Sequence, residues 1–305
     1  MGTRHRALDR MRILITGVGG FVGGILAENL LAAGHEVTGV YLDSIPRLSI
    51  DSKRHYGLRL IKTDLASSCA GLGKADWIIH AAAKIKANPL GYARSNVLAT
   101  VNVVNHAQSI RAKGIIYLSS LSAHGSAKVQ SINESTPFYS PGTYGLSKAF
   151  GECVLRDCAE ALPSLSIRLP AVVGENQFAS WIGQVLHDAL SNQPIAFYNG
   201  SSLFNNVIHV SEVSRFVALV IDRGLQGFEV VDVGASQAVP LRQAVERVVS
   251  KANSKSTLIE MDGSGRTSYW IDLSNLRKKF GFQPATTTHT IDMYVDENLS
   301  AKHGE

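Results

Sequence analysis

Tyr144 and Lys148, in the segment TYGLSK, are spaced so that a helix places both side chains on one face. A phenol with its ordinary pKa of about 10 is a poor base at neutral pH, and a neighbouring ammonium stabilises its phenolate form. Ser120 ends the strand-like run GIIYLSS, where its hydroxyl can bind a substrate oxygen. Together the three residues predict proton transfer at that oxygen, although a Tyr-Lys pair at this spacing also occurs by chance in many helices.

A glycine-rich segment predicts a dinucleotide site. Thr16–Gly23 reads T-G-x-x-G-x-x-G, follows a strand-like run and opens a helix. Glycines in that setting allow a tight turn and let a pyrophosphate approach the amides at the helix N-terminus. Asp64 is placed to hold the adenine amino group, and the small residues after the fourth strand leave room for the cofactor. The expected contacts are Gly17, Gly20, Phe21, Val22, Gly23, Asp64, Leu65, Ala81, Ala82 and Ala83.

The end of the second strand-like run, EVTGVYL, bears on the choice of dinucleotide. An acidic residue there binds the adenosine ribose of NAD. Tyr41 occupies that position and Asp43 follows two residues later, so both are expected cofactor contacts. No Arg directly follows to receive a 2′-phosphate, although Arg47 is close enough to keep NADP open. We therefore expect NAD or NADP, with a slight preference for NAD.

Strand-like and helix-like segments alternate through the first half of the chain. The strand-like runs begin at Arg12, Glu36, Leu58, Asp76, Gly114 and Leu165. This alternation predicts an α/β fold, a Rossmann doubly wound parallel sheet with a smaller C-terminal α/β substrate lobe. We expect an N-terminal extension over 1–11 and a dinucleotide-binding domain over 12–174 that also receives part of 205–235. A mainly substrate-binding lobe is expected over 175–305.

The composition excludes several classes of protein. Hydrophobic residues make up 45% of the 305 residues and charged residues 18%, which is typical of a globular enzyme. No apolar run reaches the roughly 18–20 residues of a transmembrane helix, and no basic run supports nucleic-acid binding despite the net charge of +5. Cys69, Cys153 and Cys158 lack the spacing of a disulfide framework or a zinc site. We expect a cytoplasmic protein without a bound metal.

The order of these motifs resembles the extended branch of the short-chain dehydrogenase/reductase superfamily, which includes the NAD-dependent epimerases, dehydratases and 4-ketoreductases of nucleotide sugars. The resemblance covers about residues 12–285, and its segments include TGVGGFVG, HAAA, SSLSAHG, YGLSK, IRLPAVVG and IDLSNLRKKFGFQP. It implies that Ser120, Tyr144 and Lys148 are the catalytic residues. The further cofactor contacts expected are Asn96, which helps to order the site, Tyr144, Lys148 and Pro170.

Several positions depart from the family's pattern. Leu121 and Ser122 stand where 4,6-dehydratases carry an Asp-Glu pair, so that activity is not expected. Asn205 stands where an Arg grips the diphosphate of a nucleotide sugar, and Ala171 replaces a substrate-contacting Asn. Arg266 is placed to supply the phosphate contact from another loop. The expected substrate contacts are Ser122, His124, Asn176, Phe178, Trp181 and Arg266.

The resemblance implies an NAD(P)-dependent oxidoreductase or epimerase that acts on a sugar hydroxyl or keto group, with a nucleotide sugar as the expected substrate. A C4 epimerase and a 4-ketoreductase both fit. The alternatives are a reductase of a small non-nucleotide ketone or aldehyde, which the missing Arg favours, and a non-catalytic dinucleotide-binding sensor. Many relatives form homodimers through the helices predicted here over Asn96–Arg111 and Tyr144–Ala161, so a homodimer is expected.

Overall fold

The structure, a computed structural model of the chain, describes residues 10–46, 48 and 57–303. Most of the expected extension over 1–11, and Arg47, lie outside the described residues. The strands are β1 (Arg12–Thr16), β2 (Glu36–Tyr41), β3 (Leu58–Lys62), β4 (Trp77–His80), β5 (Gly114–Ser120), β6 (Ser131–Ile132), β7 (Ser164–Leu169), β8 (Ala171–Val173), β9 (Ile195–Tyr198), β10 (Leu203–Phe204), β11 (Val207–His209), β12 (Phe228–Asp232), β13 (Val239–Pro240), β14 (Leu258–Met261) and β15 (Trp270–Ile271).

Helices connect most of the strands. They are α1 (Phe21–Ala32), α2 (Pro89–Tyr92), α3 (Ala99–Ser109), α4 (Thr143–Asp157), α5 (Trp181–Leu190), α6 (Val210–Arg223), α7 (Leu241–Lys251), α8 (Ser274–Phe280) and α9 (Thr287–His303). A π-helical segment, Ala93–Leu98, joins α2 to α3, and a 3-10 turn, Leu121–His124, follows β5. Every helix in the described part of the chain is too short or too polar to cross a lipid bilayer.

Seven parallel strands form the central sheet in the order β12-β7-β5-β4-β1-β2-β3. Strands β4 and β5 are almost continuous runs of buried residues, as expected where helices cover both faces of a parallel sheet. The strand order reverses at β1, whose two neighbours are β2 and β4. Open α/β sheets bind ligands beyond the carboxyl ends of the strands at such a reversal. The ends of β1 and β4, at Thr16 and His80, therefore mark the expected binding edge.

The described chain divides into two compact units. The first comprises the residues through Leu118, Ser147–Ser166 and Ser214–Glu229, and the second comprises Ser119–Leu146, Ile167–Val213 and the residues from Val230 onward. Each unit has its own core. Members of the first core are Leu14, Ile78, Val103, Ile115 and Leu155, and members of the second are Leu186, Phe197, Val245, Ile291 and Tyr294. The predicted fold class, a Rossmann sheet with a C-terminal lobe, is confirmed.

The second unit contains several short, paired strands. Pro170, which has no backbone N–H, separates β7 from β8. Strand β8 pairs with β11, β9 with β14 and β6 with β15, all in parallel, while β10 pairs with β13 antiparallel. Helix α5 begins at Trp181 because the Ser180 hydroxyl accepts a hydrogen bond from the Gly183 amide at 3.1 Å. These elements bring distant loops of the second unit together.

Candidate active site

A cavity of about 300 Å³ lies in the first unit at the carboxyl ends of β1 to β4. Nine of the expected cofactor contacts line it: Gly17, Gly20, Tyr41, Asp43, Asp64, Leu65, Ala81, Ala82 and Ala83. Other expected contacts, Phe21, Val22, Gly23, Asn96, Tyr144, Lys148 and Pro170, do not. The sequence patterns did not single out the lining residues Gly19, Ser44, Thr63, Ser95 and Ala99, which follow strand ends or lie on the helix beside them.

The glycine loop between β1 and α1 packs so closely against neighbouring backbone that side chains at Gly17 and Gly19 would not fit. Gly17 has a φ of 74°, and a Cβ added there would lie 2.7 Å from the Ala82 backbone. A Cβ on Gly19 would lie 2.1 Å from the Ser44 carbonyl oxygen. Gly20 precedes α1 without a side-chain cap, and the first turn of α1 carries no acidic residue. The cavity and these amides fit the phosphates of a dinucleotide.

Two acidic side chains, each beyond a strand end, line the same cavity but differ in exposure and in hydrogen bonding. Asp43 is exposed beyond the end of β2. Asp64, beyond β3, accepts a hydrogen bond from the Arg94 guanidinium at 2.6 Å and from the Ala66 amide at 3.0 Å. The bond from Arg94 is the main reason that the pKa of Asp64 is lowered. The hydrogen bonds from Arg94 and from the Ala66 amide therefore occupy this carboxylate, which weakens the expectation that Asp64 binds the adenine amino group.

Asn96 is buried in the π-helical segment and fixes the chain that follows the alanine run. Its Oδ1 accepts from the Lys84 amide at 2.8 Å, and its Nδ2 donates to the Lys84 carbonyl at 3.0 Å. The same Nδ2 donates to the Ser147 hydroxyl at 3.0 Å. Because Ser147 directly precedes Lys148 on α4, Asn96 ties the cavity wall to the helix that carries the lysine.

Lys148 is almost completely buried, with 1% of its surface exposed. Its Nζ lies 4.2 Å from the centroid of the Tyr117 ring, a cation–π distance. Burial lowers the pKa of Lys148 to about 7, against the opposing charge of Glu152. Tyr144 lies one turn earlier on α4 and is half-buried.

The serine turn and the start of α4 pack backbone to backbone in the second unit. The Ser120 hydroxyl accepts a hydrogen bond from the Ser122 amide at 3.1 Å, which caps the 3-10 turn. A Cβ added at Gly145 would lie 2.1 Å from the Ser122 carbonyl oxygen. Only a glycine at 145 therefore allows this approach, and Tyr144 immediately precedes it.

His124 is fully buried in a charged cluster rather than exposed to a ligand. Its Nε2 donates to Asp232 Oδ2 at 2.8 Å, and Arg168 Nη1 lies 3.5 Å from the other carboxylate oxygen. Glu134 accepts from the Asp232 amide, and burial raises the pKa of this carboxyl group. The contacts of His124 favour a structural role over the expected substrate contact.

A second cavity, of about 400 Å³, lies in the second unit. Trp181, Tyr198, Arg266 and Ser268 are among its lining residues. The Arg266 guanidinium lies 3.7 Å from the Tyr198 ring centroid, and the Trp181 ring, 41% exposed, packs edge-on against Phe204. Two of the expected substrate contacts, Trp181 and Arg266, therefore share a cavity that offers aromatic faces and one guanidinium.

The remaining expected substrate-side residues support the backbone around β8 and α5. Asn205 is 2% exposed; its Nδ2 donates to the carbonyls of Ala235 and Ile271, and its Oδ1 accepts from the Ile271 amide. Asn176 has a φ of 58°, and its amide donates to the Asn298 side chain. Phe178 packs edge-on against His187. Ser122 is exposed beside the serine turn, and Ala171 begins β8.

Comparisons with known proteins agree on one family. The model of the NAD dependent epimerase/dehydratase family matches residues 13–234. An uncharacterized UDP-glucose epimerase of Bacillus subtilis, YtcB, is 23% identical over 301 residues, which cover 91% of this chain and 94% of that protein. The dTDP-D-glucose 4,6-dehydratase of Mus musculus is 24% identical, over 86% of this chain and 77% of its own. The fold is similar to that of the Bordetella bronchiseptica enzyme WbmG, solved with NAD and UDP, with a TM-score of 0.81, 21% identity and coverage of 97% and 96%.

Proposed function

The chain belongs to the NAD-dependent epimerase/dehydratase family, and on that premise we propose that it oxidises or reduces a sugar carbon of a nucleotide sugar, as a C4 epimerase or a 4-ketoreductase. One observation carries the proposal. Because Gly145 has no Cβ, the start of α4 approaches the Ser122 carbonyl closely, and Tyr144, in the first turn of α4, lies beside the turn that Ser120 caps. A hydroxyl donor and a phenol on adjoining backbone are what proton exchange with one substrate oxygen requires.

Each of the three residues then has a chemical role. The Ser120 hydroxyl hydrogen-bonds the substrate oxygen, and Tyr144 takes the proton from that oxygen during oxidation and returns it during reduction. Lys148, one turn after Tyr144, supplies positive charge that stabilises the phenolate, and with a pKa of about 7 it is about half protonated at neutral pH. The dinucleotide, when bound, supplies the hydride acceptor and donor.

The first cavity is the proposed cofactor site, with NAD as the expected dinucleotide. The glycine loop and the uncapped N-terminus of α1 would hold the pyrophosphate. Asp43, which lines the cavity, would accept from a ribose hydroxyl and would repel the 2′-phosphate of NADP. Family members and solved relatives with NAD support this choice.

The second cavity is the proposed site for the nucleotide part of the substrate. The rings of Trp181 and Tyr198 offer stacking faces for a base, and Arg266 is the guanidinium that would bind the diphosphate. Asn205 does not replace the family's Arg in that role, because its side-chain amide is already bonded to Ala235 and Ile271. WbmG, a structural relative, was solved with UDP.

Dehydratase chemistry is not part of the proposal, although one relative is named a 4,6-dehydratase. Elimination of water across two carbons needs an acid and a base beyond the tyrosine. Leu121, which is 5% exposed, and Ser122 offer no carboxyl group at the positions where dehydratases carry one. One observation favours the alternative of a small-ketone reductase: the Asn205 side chain is hydrogen-bonded to Ala235 and Ile271 and so does not supply the diphosphate contact of a nucleotide sugar.

A homodimer is also proposed. In the first unit, Leu98 of the π-helical segment and Phe150 of α4 are large apolar side chains that are 43% and 47% exposed. Exposed apolar side chains on helices of this kind mark protein–protein contacts when they form a patch.

The test is turnover with defined substrates. The protein is incubated with UDP- and dTDP-hexoses and NAD, and in a second arm with 4-keto sugar nucleotides and NADH. An epimerase converts the first set without net formation of NADH from NAD, whereas a reductase consumes NADH in the second. Tyr144→Phe should lower turnover by about 1,000-fold while NAD binding is retained, and Tyr139→Phe, which removes the hydroxyl of a 39% exposed tyrosine, serves as the control. Full activity of Tyr144→Phe contradicts the mechanism. A third arm contains small ketones or aldehydes and NADH, and turnover in that arm alone supports the small-ketone alternative.

A further inference from the structure

His80, the last residue of β4, is fully buried and hydrogen-bonded through both ring nitrogens. Its Nδ1 lies 2.6 Å from the Thr16 hydroxyl and its Nε2 lies 2.9 Å from the Thr100 hydroxyl. The two threonines belong to β1 and α3, which are far apart in sequence. All of these residues lie in the first unit.

The protons of this group are ordered by the bonds at its ends. The Thr100 hydroxyl donates to the Asn96 carbonyl at 2.5 Å, so its oxygen accepts from His80 Nε2–H. His80 Nδ1 is then the unprotonated nitrogen and accepts from the Thr16 hydroxyl, whose oxygen accepts from the Ala82 amide at 3.2 Å. Burial, helped by the charge of Lys148, lowers the pKa of His80 to about 3, which agrees with a neutral ring. We call this series, Ala82–Thr16–His80–Thr100–Asn96, the His80 chain.

One end of the His80 chain is the wall of the first cavity. Thr16 directly precedes Gly17, and Ala82 lines the cavity. The position of a Cβ on Gly17 would be 2.7 Å from the Ala82 backbone, so the glycine loop and the alanine run touch. A displacement of Thr16 or Ala82 therefore changes the shape of the cavity directly.

The other end reaches the surroundings of Lys148 by two routes. Asn96, whose carbonyl ends the chain, also binds the hydroxyl of Ser147, the neighbour of Lys148. The His80 ring stacks on the Tyr117 ring, with centroids 5.5 Å apart and an interplanar angle of 27°, and Lys148 Nζ lies 4.2 Å from the same Tyr117 centroid. The charged and titratable groups near Lys148 thus include His80, Tyr117, Glu152 and, one turn earlier on α4, Tyr144.

We propose that His80 is a positioning residue that couples the cofactor cavity to Lys148 through the His80 chain. Loss of the Thr16 bond frees His80 to change tautomer, and the Thr100 hydroxyl would then donate to the unprotonated Nε2 and no longer to the Asn96 carbonyl. The proposal rests on the proposed role of the first cavity as the dinucleotide site, and its tests need no sugar substrate.

The first test measures NAD binding by calorimetry in Thr16→Val, Ser147→Ala and the double variant. Thr16 and Ser147 lie on different elements, β1 and α4, and if the two sites were independent their effects on NAD affinity would multiply. If the His80 chain couples the two residues, the dissociation constant of the double variant for NAD should be at least about threefold lower than the product of the two single effects predicts. Thr287→Val, which removes the bond of another fully buried threonine to the Ser236 carbonyl, should combine with Ser147→Ala multiplicatively.

The second test follows the titration midpoint of Lys148 by NMR of isotope-labelled lysine without NAD, with the resonance assigned from Lys148→Met. His80→Leu should shift the midpoint by about half a pH unit or more, and His80→Gln, which can still donate and accept, should shift it less. Thr100→Val gives the same readout if His80→Leu does not fold. Multiplicative NAD binding together with an unchanged lysine midpoint in folded variants would overturn the proposal. Failure of the wild type to bind NAD would refute the cofactor site, while the lysine titration would still decide the coupling.

Discussion

The buried Lys148 predicts how stability should depend on pH. Its pKa is about 7 in the folded protein and about 10.5 in an unfolded chain, so between these values the folded state binds fewer protons. Stability therefore rises with pH across this window, by about 1.4 kcal/mol per pH unit for one proton. Below pH 7 the penalty of burying the lysine is fully present, and it disappears as the pH passes the unfolded pKa.

Lys148→Met removes this dependence. Unfolding free energies from urea titrations at pH 7.5, 8.5 and 9.5 should rise for the wild type by about 2.5 kcal/mol more than for the variant, because titration is incomplete at both ends of the two-unit range. Starting at about pH 7.5 keeps the ordinary titration of carboxyl groups outside the comparison. Glu152 is 1% exposed, so the combined variant Lys148→Met/Glu152→Gln checks that its carboxylate does not contribute.

The matched control is Lys278→Met, which removes an exposed lysine of α8 and should follow the wild type at every pH. If Lys148→Met also runs parallel to the wild type between pH 7.5 and 9.5, Lys148 is charged throughout that range. That result would refute the argument that burial depresses the pKa of Lys148, and with it the picture of a lysine that is half protonated at neutral pH.

Three further predictions concern the two cavities and the serine turn. Gly145→Ala places a Cβ 2.1 Å from the Ser122 carbonyl oxygen, so the start of α4 must move away from the serine turn. We expect kcat to fall by about 30-fold or more and stability by about 1–3 kcal/mol, while NAD binding is retained. An unchanged kcat would show that catalysis does not need this close backbone contact. Arg266→Met should weaken nucleotide-sugar binding by about 10- to 100-fold in calorimetry, whereas Arg277→Met on α8 should not; equal effects would place the diphosphate elsewhere. Asp43→Ala should reduce the ratio of NAD to NADP affinity by about fivefold, and an unchanged ratio would remove Asp43 from cofactor selection.

The central sheet could be predicted from the sequence because its signals are local. Runs such as RILIT and GIIYLSS have continuous apolar centres, at residues 13–15 and 115–118, and β1 and β5 begin where those runs begin. The glycine motif is equally local, because its residues all lie within one strand-to-helix turn, although the Ser44 and Ala82 backbones that pack against it come from other strand ends.

Helix α9 could not be predicted in the same way. Its sequence, TTHTIDMYVDENLSAKH, is polar and contains three threonines, which are weak helix formers. Contacts from distant segments stabilise it: Asn298 accepts from the Asn176 amide, and the Tyr294 hydroxyl donates to the Gln177 carbonyl. Tertiary bonds of this kind leave no periodic pattern in the helix itself.

The same limit applies to single site residues. His124 and Asp64 are conspicuous in sequence because they follow strand ends, yet their partners Asp232 and Arg94 lie 108 and 30 residues away. His80 gave no sign of its two threonine partners. Sequence position therefore predicts which edge of the sheet carries the candidate site, while the hydrogen bonds and burial of each side chain depend on contacts that only the folded chain reveals.

The buried cluster of His124, Arg168 and Asp232 limits how this protein could be re-engineered. Replacing SSLSAHG with the corresponding segment of another enzyme would exchange His124 and remove its hydrogen bond to the buried Asp232 carboxylate, which would keep its contact with Arg168. Removing one hydrogen-bond partner of a buried polar group costs about 1–3 kcal/mol. The segment is therefore not a portable module. A library aimed at new specificity should vary positions 124, 168 and 232 as one set, and should place its independent diversity at the exposed Ser122.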